Sequence, residues 1–522
     1  MINGLRTVLL FVCILTLFLI GSVRVAVIND DGSIAAAAEN NSTVITVSQN
    51  RGRIFDCNGV ALTGEKIKNY AVITPSEQTI SYCKSVLTGD EKISVLGKLR
   101  NRKAAVIETE NEMNCAGIIN LKVPVLKGED SFCAHLLGYT DSSFHGVTGL
   151  EKAMDEYLYS DSKISVRLYT DAYGRVLSGI EPKVEQDRLS TSGVITTIDK
   201  NVQIAVENAT KDLSKGAVVV GQAGTGKIRA MVSKPSYNPS AVEEVMSSES
   251  SPLLNRALQG YNVGSAFKPC IAVANADSDL TVECSGSVLI DGNHFACHKS
   301  SGHGTVDMRE ALTQSCNSYF YRFALMQGAD KIYETATLFG FGINKTLCNG
   351  ISTKGEKIPS RSTLSSERAL ANFSIGQGEL LASPVSMLTL YEAIACDGVY
   401  HIPSIIEGVM ENAIITEKTD EQPPTKAMSK QQSQILKSYL VDVVNEGTGK
   451  AAFSDRVSVA GKTSTAQTGW KNSDGTVKTH SWFCGFFPVE EPSYVVAVLV
   501  EDSANSTVTA AQIFSYIATA LG

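Results

Sequence analysis

The segment that constrains this chain most is the uncharged apolar run near its amino terminus, VLLFVCILTLFLIGSV at residues 8–23. Its continuation to residue 28 adds one charge, Arg24, whose long side chain can reach a lipid headgroup. A helix of about 20 apolar residues crosses a bilayer, and it satisfies its own backbone hydrogen bonds there. We therefore predict a cytoplasmic tip and transmembrane anchor at residues 1–28, with membrane contact through residues 8–28.

The charges on either side of this segment predict its orientation. Arg6 precedes it, whereas Asp30 and Asp31 follow it. Because positive residues stay on the cytoplasmic side, we expect a single-pass protein of the cell membrane whose bulk is extracellular. A cleavable signal peptide is the alternative, since the alanines at 35–38 resemble a cleavage site, although they lie late for cleavage.

The residue composition and the length of the predicted elements change twice after the anchor. Residues 29–50 are polar and are predicted to form a linker, and residues 51–193 hold short apolar runs and a predicted amphipathic helix, GLEKAMDEYL. The residues that share the apolar face of this helix are Leu150, Met154, Tyr157 and Leu158.

Longer elements begin at residue 194. GAVVVGQ and KIRAMVS flank the turn residues 223–226 and predict a β-hairpin, while SWFCGFFP and YVVAVLVE predict two adjacent strands. Helix-sized segments lie between about residues 265 and 326, and AAQIFSYIATAL predicts a closing helix. Strands at both ends with helices between them predict one α/β domain over residues 194–522.

Charge and motif spacing exclude two classes of phosphate binding. The formal charge of −8 gives no reason to expect a nucleic-acid partner. GKTSTAQTG at 461–469 has the lysine of a nucleotide-binding loop, but Arg456 occupies the position of the first glycine. The run at 221–226 has both glycines and Lys227, but Ile228 stands where a magnesium-binding hydroxyl is needed.

A serine–lysine pair offers another chemistry. In GSAFKP, Ser265 and Lys268 share one face of a helix that begins at residue 264 or 265, and Pro269 is tolerated in its first turn. A serine needs a base to become a nucleophile, and a lysine is a base only when neutral. A pKa of about 7 to 8 requires roughly 3 to 4 kcal/mol of differential interaction, which burial beside Lys462 can supply.

The order of motifs distinguishes this pair from isolated matches. S-x-x-K also occurs at Ser81 and Ser160, where a solvated surface is the simpler interpretation. Only after GSAFKP do SCN, with Ser315 and Asn317, and then Lys462 follow in turn. This order is typical of penicillin-binding proteins and serine β-lactamases.

Further blocks extend the match over most of residues 194–522, and the sequence resembles a class B penicillin-binding protein. The matching blocks are NRALQGYNVGSAFKP, GHGTVDMREALTQSCNSYF, SIGQGELLASP, VVNEGTG, VAGKTSTAQTG and HSWFCGFFP. The resemblance implies an α/β transpeptidase fold of the penicillin-binding and serine β-lactamase type, an antiparallel sheet with helices. Upstream, RGRIFDCNGVAL, GVTGLEKAMDEYL and DAYGRVL are similar to the elongated α+β pedestal, a dimerisation-like domain placed at residues 51–193.

The resemblance also implies an activity and site residues. Ser265 attacks the carbonyl between the two terminal D-alanines of a peptidoglycan stem peptide, Lys268 is the base, D-alanine leaves, and an acceptor stem amine forms the cross-link. Ser315 passes a proton to the leaving amine, and Asn317 holds the donor backbone. Capping of a helix is the alternative for Ser315 and Asn317. No metal or organic cofactor is implied.

The last motif contains the clearest departure from the family pattern. Lys462 and Thr463 are expected to bind the donor carboxylate, and the N–H groups of Ser265 and Thr465 to form the oxyanion hole. Ser464 replaces a glycine that lets substrate approach the strand. Its hydroxymethyl group is tolerated if it points away from the cleft and obstructive if it points inward.

Two functions compete with transpeptidation. A D,D-carboxypeptidase passes the acyl group to water, and a scaffold with weakened chemistry only supports a membrane glycan polymerase, the partner that the resemblance implies. A β-lactamase is disfavoured by the anchor and the upstream domain. The resemblance implies donor and acceptor stem peptides as partners and β-lactams as inhibitors.

The cysteines leave three alternatives open. Cys284 and Cys297 bracket a predicted hairpin and are candidates for a disulfide. Together with His298 and His303 they form a candidate zinc set that lacks a CxxC half, and unpaired buried thiols are the third interpretation. Cys316 is interpreted as a small buried residue.

Overall fold

The computed structural model describes residues 2–28, 41–64, 66–124, 132–177, 180–186, 193–411, 414–419, 422–471 and 475–522. Two compact units divide the chain. The first consists of Met1–Arg51, Glu65–Val125 and Ser160–Ser190, and the second of Gly52–Gly64, Leu126–Tyr159 and Thr191–Gly522. Parts of the region predicted as a pedestal thus group with the second unit, and the predicted domain limits stay a prediction.

Sixteen α-helices are formed by the described residues. They are α1 (Ile2–Ile28), α2 (Glu77–Val86), α3 (Gly89–Arg100), α4 (Ala134–Leu137), α5 (Gly149–Ala153), α6 (Asp155–Leu158), α7 (Lys200–Ala209), α8 (Lys268–Ala272), α9 (Met308–Thr313), α10 (Asn317–Gln327), α11 (Ala329–Leu338), α12 (Arg361–Leu364), α13 (Glu367–Ser374), α14 (Pro384–Ala395), α15 (Lys430–Asn445) and α16 (Ala510–Leu521).

The strands of the same residues are β1 (Ser42–Arg51), β2 (Arg53–Phe55), β3 (Ile67–Ile73), β4 (Ala105–Thr109), β5 (Ile118–Pro124), β6 (Tyr159–Tyr169), β7 (Lys183–Gln186), β8 (Gly193–Thr196), β9 (Gly216–Gln222), β10 (Ile228–Lys234), β11 (Val282–Cys284), β12 (Ser287–Ile290), β13 (Asn293–Ala296), β14 (Gly304–Val306), β15 (Thr346–Cys348), β16 (Ile351–Ser352), β17 (Val399–Tyr400), β18 (Ile406–Glu411), β19 (Ile414–Lys418), β20 (Thr425–Lys426), β21 (Ala460–Lys471), β22 (Val477–Phe487) and β23 (Tyr494–Val500).

The first unit contains the apolar helix and two small sheets. Among the described residues, α1 alone is long and apolar enough, over Gly4–Arg24, to cross a membrane, which fits a single-pass anchor. The sheets have the orders β1-β6-β7 and β4-β3-β5. In β3, Ala71 and Ile73 pack with α2 and α3, whereas Val72 faces the β6 side. Residues 29–40 of the predicted linker lie outside the described residues, and its remainder forms β1 rather than a linker.

A five-stranded antiparallel sheet organises the second unit. Its order is β10-β9-β23-β22-β21, so the predicted hairpin and the two predicted adjacent strands are both present. Val219 packs in the same hydrophobic cluster as α14, whereas Val218 and Val220 pack with α16 on the opposite face. Burial on both faces explains why the strand GAVVVGQ is continuously apolar.

Two predicted helical segments differ from the structure. GLEKAMDEYL forms two short helices, α5 and α6, because Met154 leaves the helical conformation between them. Leu150 and Leu158 are buried, whereas Tyr157 is exposed and donates to Glu417 Oε2 at 3.3 Å. Between residues 265 and 326, the strands β11 to β14 interrupt the predicted run of helices, because the hairpins there leave too few residues for long ones.

The edge of the main sheet faces the serine–lysine segment. Strand β21 pairs only with β22 in this sheet, so its other edge is free to contact the 3₁₀ helix Gly264–Phe267. Two buried anchors hold this helix from behind: Tyr391 of α14 donates to the Ala266 carbonyl at 2.9 Å, and Trp482 Nε1 donates to the Asn262 carbonyl at 2.9 Å. The sheet and the buried helix α14 therefore fix the position of the segment.

Candidate active site

A cleft of about 900 Å³ lies along β21. The predicted residues that line it are Ser265, Ser315, Asn317, Thr463, Ser464 and Thr465. Gln467, Asn372 and Thr448 line it as well, and the sequence predicted a place in the cleft for none of these three. Lys268 and Lys462 are fully buried beneath this surface.

Two glycines shape the turn that carries Ser265. Gly264 has φ of +63°, and a Cβ there would meet Ser464 Oγ at 2.5 Å. Gly376 has φ of +73°, and a Cβ there would lie 2.1 Å from the Gly264 carbonyl oxygen. The Gly264 N–H donates to the Gly376 carbonyl at 2.9 Å, so the two loops contact through bare backbone.

Lys268 is the centre of a hydrogen-bonded group. Its Nζ donates to the Ser315 carbonyl and to Asn317 Oδ1, both at 2.7 Å, and to Ser315 Oγ at 3.3 Å. The Phe320 ring lies 5.3 Å from Nζ. No carboxylate among the described residues forms an ion pair with Lys268. Burial therefore lowers the pKa of Lys268 to about 7, within the range that the sequence argument required.

The S-x-N segment is held in a strained conformation between α9 and α10. Ser315 has φ of +57°, which is uncommon for a residue other than glycine. The Cys316 N–H donates to the Ala311 carbonyl at 2.8 Å, and Lys268 binds the Ser315 carbonyl from the other side. Such strain costs of order 1 kcal/mol and is common at functional sites.

Lys462 lies beside a pair of threonines. Its Nζ donates to the Thr463 carbonyl at 3.1 Å and to Thr448 Oγ1 at 3.5 Å, and Thr448 Oγ1 lies 2.8 Å from Thr463 Oγ1. Burial, followed by the nearby charge of Lys268, lowers the pKa of Lys462 well below its usual value. Thr448 belongs to VVNEGTG, a segment that resembles the family but whose resemblance implies no role for this hydroxyl.

The structure shows where the departure at Ser464 points. Its hydroxyl is buried and donates to the Val263 carbonyl at 2.7 Å, two residues before Ser265. The side chain therefore ties the strand to the turn that carries Ser265 and does not obstruct the substrate side of β21.

Four residues beside the S-x-N segment form a cluster of thiols and imidazole. Their ligand atoms all lie within 4.8 Å of one another; the residues are Cys284, Cys297, His303 and Cys316. Both Cys284 Sγ and Cys297 Sγ lie 3.5 Å from His303 Nδ1. Three thiols and one imidazole are a donor set that tetrahedral Zn²⁺ takes in proteins.

The cluster corrects two expectations. Cys284 and Cys297 are free, so the disulfide considered for them is not formed. The candidate zinc set includes Cys316, which is buried as expected, in place of His298, whose Nδ1 lies 3.9 Å from Cys297 Sγ. The set has no CxxC half because its members come from strand β11, from the loops next to β13 and β14, and from the S-x-N segment itself.

Known proteins share this architecture. Residues 216–519 match the family model described as the penicillin binding protein transpeptidase domain. Stage V sporulation protein D of Bacillus subtilis (strain 168) is 29% identical over 510 residues, covering 87% of this chain and 74% of that protein. The peptidoglycan D,D-transpeptidase PbpA of Mycolicibacterium smegmatis is 31% identical over 402 residues, covering 71% of this chain and 76% of that protein.

A solved structure supports the fold. The D,D-transpeptidase domain of a peptidoglycan glycosyltransferase from Eggerthella lenta has a TM-score of 0.65 at 23% identity, covering 91% of this chain and 98% of that one. The expected α/β transpeptidase fold is confirmed. Because the family model covers more than half of its length, this chain belongs to the penicillin-binding D,D-transpeptidases.

Proposed function

We propose that Ser265 is the nucleophile with which this protein cross-links peptidoglycan stem peptides. One observation supports the assignment above all: a fully buried lysine, Lys268, with a pKa of about 7, lies directly beneath the cleft that Ser265 lines. A lysine with this pKa has a neutral fraction at pH 7 that can accept the proton of Ser265.

The proposed reaction has two acyl transfers. Ser265 Oγ forms a bond to the carbonyl carbon of the penultimate D-alanine while its proton passes to Lys268 Nζ. The peptide bond to the terminal D-alanine breaks, and the leaving amine takes a proton through Ser315 Oγ, which lies 3.3 Å from Lys268 Nζ. An acceptor amine then attacks the ester, loses its proton to the same lysine, and releases Ser265.

The remaining residues bind and orient the donor. Asn317 lines the cleft and is held by Lys268 through Oδ1. Its Nδ2 donates one N–H to the Ala296 carbonyl at 3.5 Å, which leaves the other N–H for the donor backbone. Thr463 and Thr448 present a pair of hydroxyls beside the buried Lys462 amine, and these hydrogen-bond donors suit a terminal carboxylate. The N–H groups of Ser265 and Thr465 are proposed as the oxyanion hole.

The two buried lysines favour an enzyme over a scaffold. Neither Lys268 nor Lys462 forms an ion pair with a carboxylate among the described residues, and burial of such amines costs stability. A protein that only supports a glycan polymerase would gain stability from apolar replacements at both positions. Hydrolysis in place of cross-linking, the carboxypeptidase alternative, involves the same residues and differs only in the acceptor.

We propose that the reaction takes place at a membrane surface. We propose that α1 is uncleaved, that the residues after it are extracellular, and that a membrane-embedded glycan polymerase is the partner. The support is the charge difference across the apolar segment, Arg6 before it and the acidic residues after it.

We also propose that the cluster of Cys284, Cys297, His303 and Cys316 holds one structural Zn²⁺. A metal bound by four protein side chains has no open position for a substrate, so its contribution is to the fold. Cys316 lies between Ser315 and Asn317, so the ion would fix the S-x-N segment in its strained conformation. Zinc supplies no step of the acyl transfers.

We expect the nucleophile to be labelled by a fluorescent penicillin. Full-length protein in detergent should form a covalent adduct, and Ser265→Ala should form none. Ser81→Ala is the control, because Ser81 belongs to an isolated S-x-x-K match without the later motifs, and this variant should label like the wild type. Equal labelling of Ser265→Ala, or no label on the wild type, would contradict the assignment.

The rate of labelling should rise with pH through about 7. Below that pH the amine of Lys268 is charged and cannot accept a proton, so the rate should fall about tenfold per pH unit below roughly pH 6. Lys268→Arg keeps the charge at every accessible pH and should abolish labelling throughout. A flat profile between pH 5 and 9 would show that Lys268 is not the base.

Replacement of Ser464 by glycine should slow acylation. It removes the hydrogen bond to the Val263 carbonyl, worth roughly 1 kcal/mol, and so predicts a fivefold to tenfold lower labelling rate. Ser464→Ala keeps the Cβ and removes only the hydroxyl, so it separates the effect of the hydrogen bond on the labelling rate from the effect of side-chain volume. Unchanged rates in both variants would show that the contact with the turn is neutral.

Elemental analysis of the purified full-length protein should find about one zinc per chain. Cys284→Ser and His303→Ala should each lose most of it, because a tetrahedral site tolerates loss of a ligand poorly. Cys348→Ser, a half-buried thiol outside the cluster, is the matched control and should retain it. Absence of zinc from the wild type, or equal loss in the control, would reject the site.

A further inference from the structure

The cleft has a second wall, formed by helices and a hairpin rather than by β21. The side chains of this wall that line the cleft are those of Phe295, Tyr321, Asn372, Ile375 and Gln377. We refer to these five residues as the amide wall. The contacts proposed for the donor stem use none of them, so the amide wall is available to another part of the reaction.

A small apolar cluster supports the amide wall from behind. Residues of β12, α10 and α13 form this cluster, and Phe295 and Ile375 pack against it. The Phe295 and Tyr321 rings meet edge to face, with centroids 5.5 Å apart. Arg368 of α13 also forms an ion pair of 3.2 Å with Asp291 in the turn of the hairpin β12–β13. The amide wall is therefore part of the packed fold.

The amide wall begins beside the proposed nucleophile. The carbonyl of Gly376 accepts from the N–H of Gly264, the residue before Ser265, at 2.9 Å, and Gln377 is the next residue along the loop. Asn372 lies in the last turn of α13, and its carbonyl accepts from the Gln377 N–H at 2.9 Å. The two carboxamides are thus neighbours, and a substrate that contacts them lies close to Ser265.

Both carboxamides are free for a ligand. The Asn372 and Gln377 side chains are half-buried, and neither forms a hydrogen bond with a described residue. In the described part of the chain, no Asp, Glu, Lys or Arg side chain lines the cleft, whose basic side chains are those of His294 and His298. A carboxamide offers donors and an acceptor but no charge. The amide wall therefore matches a neutral group that also has both a donor and an acceptor.

A carboxylate would be poorly matched to this surface. It can accept hydrogen bonds from the two carboxamides, but it leaves their carbonyl oxygens unpaired, and no Lys or Arg side chain on the described cleft surface balances its charge. A primary carboxamide can pair with both the N–H groups and the carbonyl oxygens. The formal charge of −8 acts in the same direction, because it disfavours an additional anion.

We infer that the amide wall binds the acceptor stem and selects one whose γ-linked D-glutamyl residue has a primary carboxamide in place of its α-carboxylate. This residue is adjacent to the diamino acid that supplies the amine, so the two enter the cleft together. The carboxamide would exchange hydrogen bonds with Asn372 and Gln377, and the methylene groups of the diamino acid would pack on Phe295 and Ile375. The inference rests on the proposed function, since it assumes that an acceptor amine attacks an ester on Ser265.

The test compares two synthetic acceptor tetrapeptides that differ only at this group, with full-length protein in detergent. They are L-Ala-γ-D-glutamyl-L-lysyl-D-Ala and its α-carboxamide, and a second pair has diaminopimelate in place of lysine. The donor is a pentapeptide whose own side-chain amine is acetylated, so it cannot act as an acceptor. Cross-linked product, measured by mass spectrometry, should form with a kcat/KM about fivefold or more higher for the carboxamide within a pair.

Variants of the amide wall separate recognition from intrinsic reactivity. Asn372→Leu and Gln377→Met keep the side-chain volume and remove the carboxamide, so each should reduce the ratio to about twofold or less. Gln377→Lys supplies a cation and should invert the ratio in favour of the carboxylate acceptor. Gln327→Met is the matched control, because Gln327 is a half-buried glutamine that accepts from Lys331 outside the cleft, and it should keep the wild-type ratio. Penicillin labelling measures folding of each variant.

A wild-type ratio within twofold would overturn the inference, and so would an unchanged ratio in both Asn372→Leu and Gln377→Met. Release of D-alanine without cross-linked product from any acceptor would also overturn it, and would leave Ser265 as the nucleophile of a hydrolase. Failure of the proposed function appears separately, as absence of penicillin labelling on Ser265 in the wild type.

Discussion

The desolvated amine of Lys268 is the constraint on which the rest of the site depends. In water that amine is charged at neutral pH, and complete burial lowers its pKa to about 7, as the proposed role of base requires. Burial in turn requires acceptors at fixed distances, here the carbonyl of Ser315 and the amide oxygen of Asn317. The S-x-N segment must therefore sit against the helix that begins at Lys268, even though this forces Ser315 into a positive φ.

Packing of the whole second unit supports this contact. Helix α14 is buried along its length and holds the turn of Ser265 through Tyr391, while β21 holds it through Ser464. Gly264 and Gly376 let two loops approach closer than side chains allow. Ser265, the proposed nucleophile, is thus positioned by a sheet, a core helix and a neighbouring loop, so its geometry does not depend on any one of them alone.

The sequence predicted the parts of this arrangement that are local or ordered along the chain. The hairpin of β9 and β10, the closing helix and the order of Ser265, Lys268 and the later motifs can all be read from short segments. The sequence did not predict Thr448 or the place of Cys316 in the cluster of Cys284, Cys297, His303 and Cys316. The residues that these side chains contact lie at no fixed spacing in the sequence. The break at Met154 was missed because the apolar periodicity continues through the residue at which the helical conformation ends.

Cys316 lies between the proposed metal site and the proposed catalytic site, whose motifs are separate in the sequence. The N–H of Asn317 donates to Cys297 Sγ at 3.4 Å, and Asn317 Oδ1 binds Lys268 on the opposite side. A change in the ligand set of the cluster would therefore move an acceptor of Lys268, the proposed base. The Zn²⁺ that we propose there would act on acyl transfer without touching substrate, because it would fix the position of Asn317 against the buried amine.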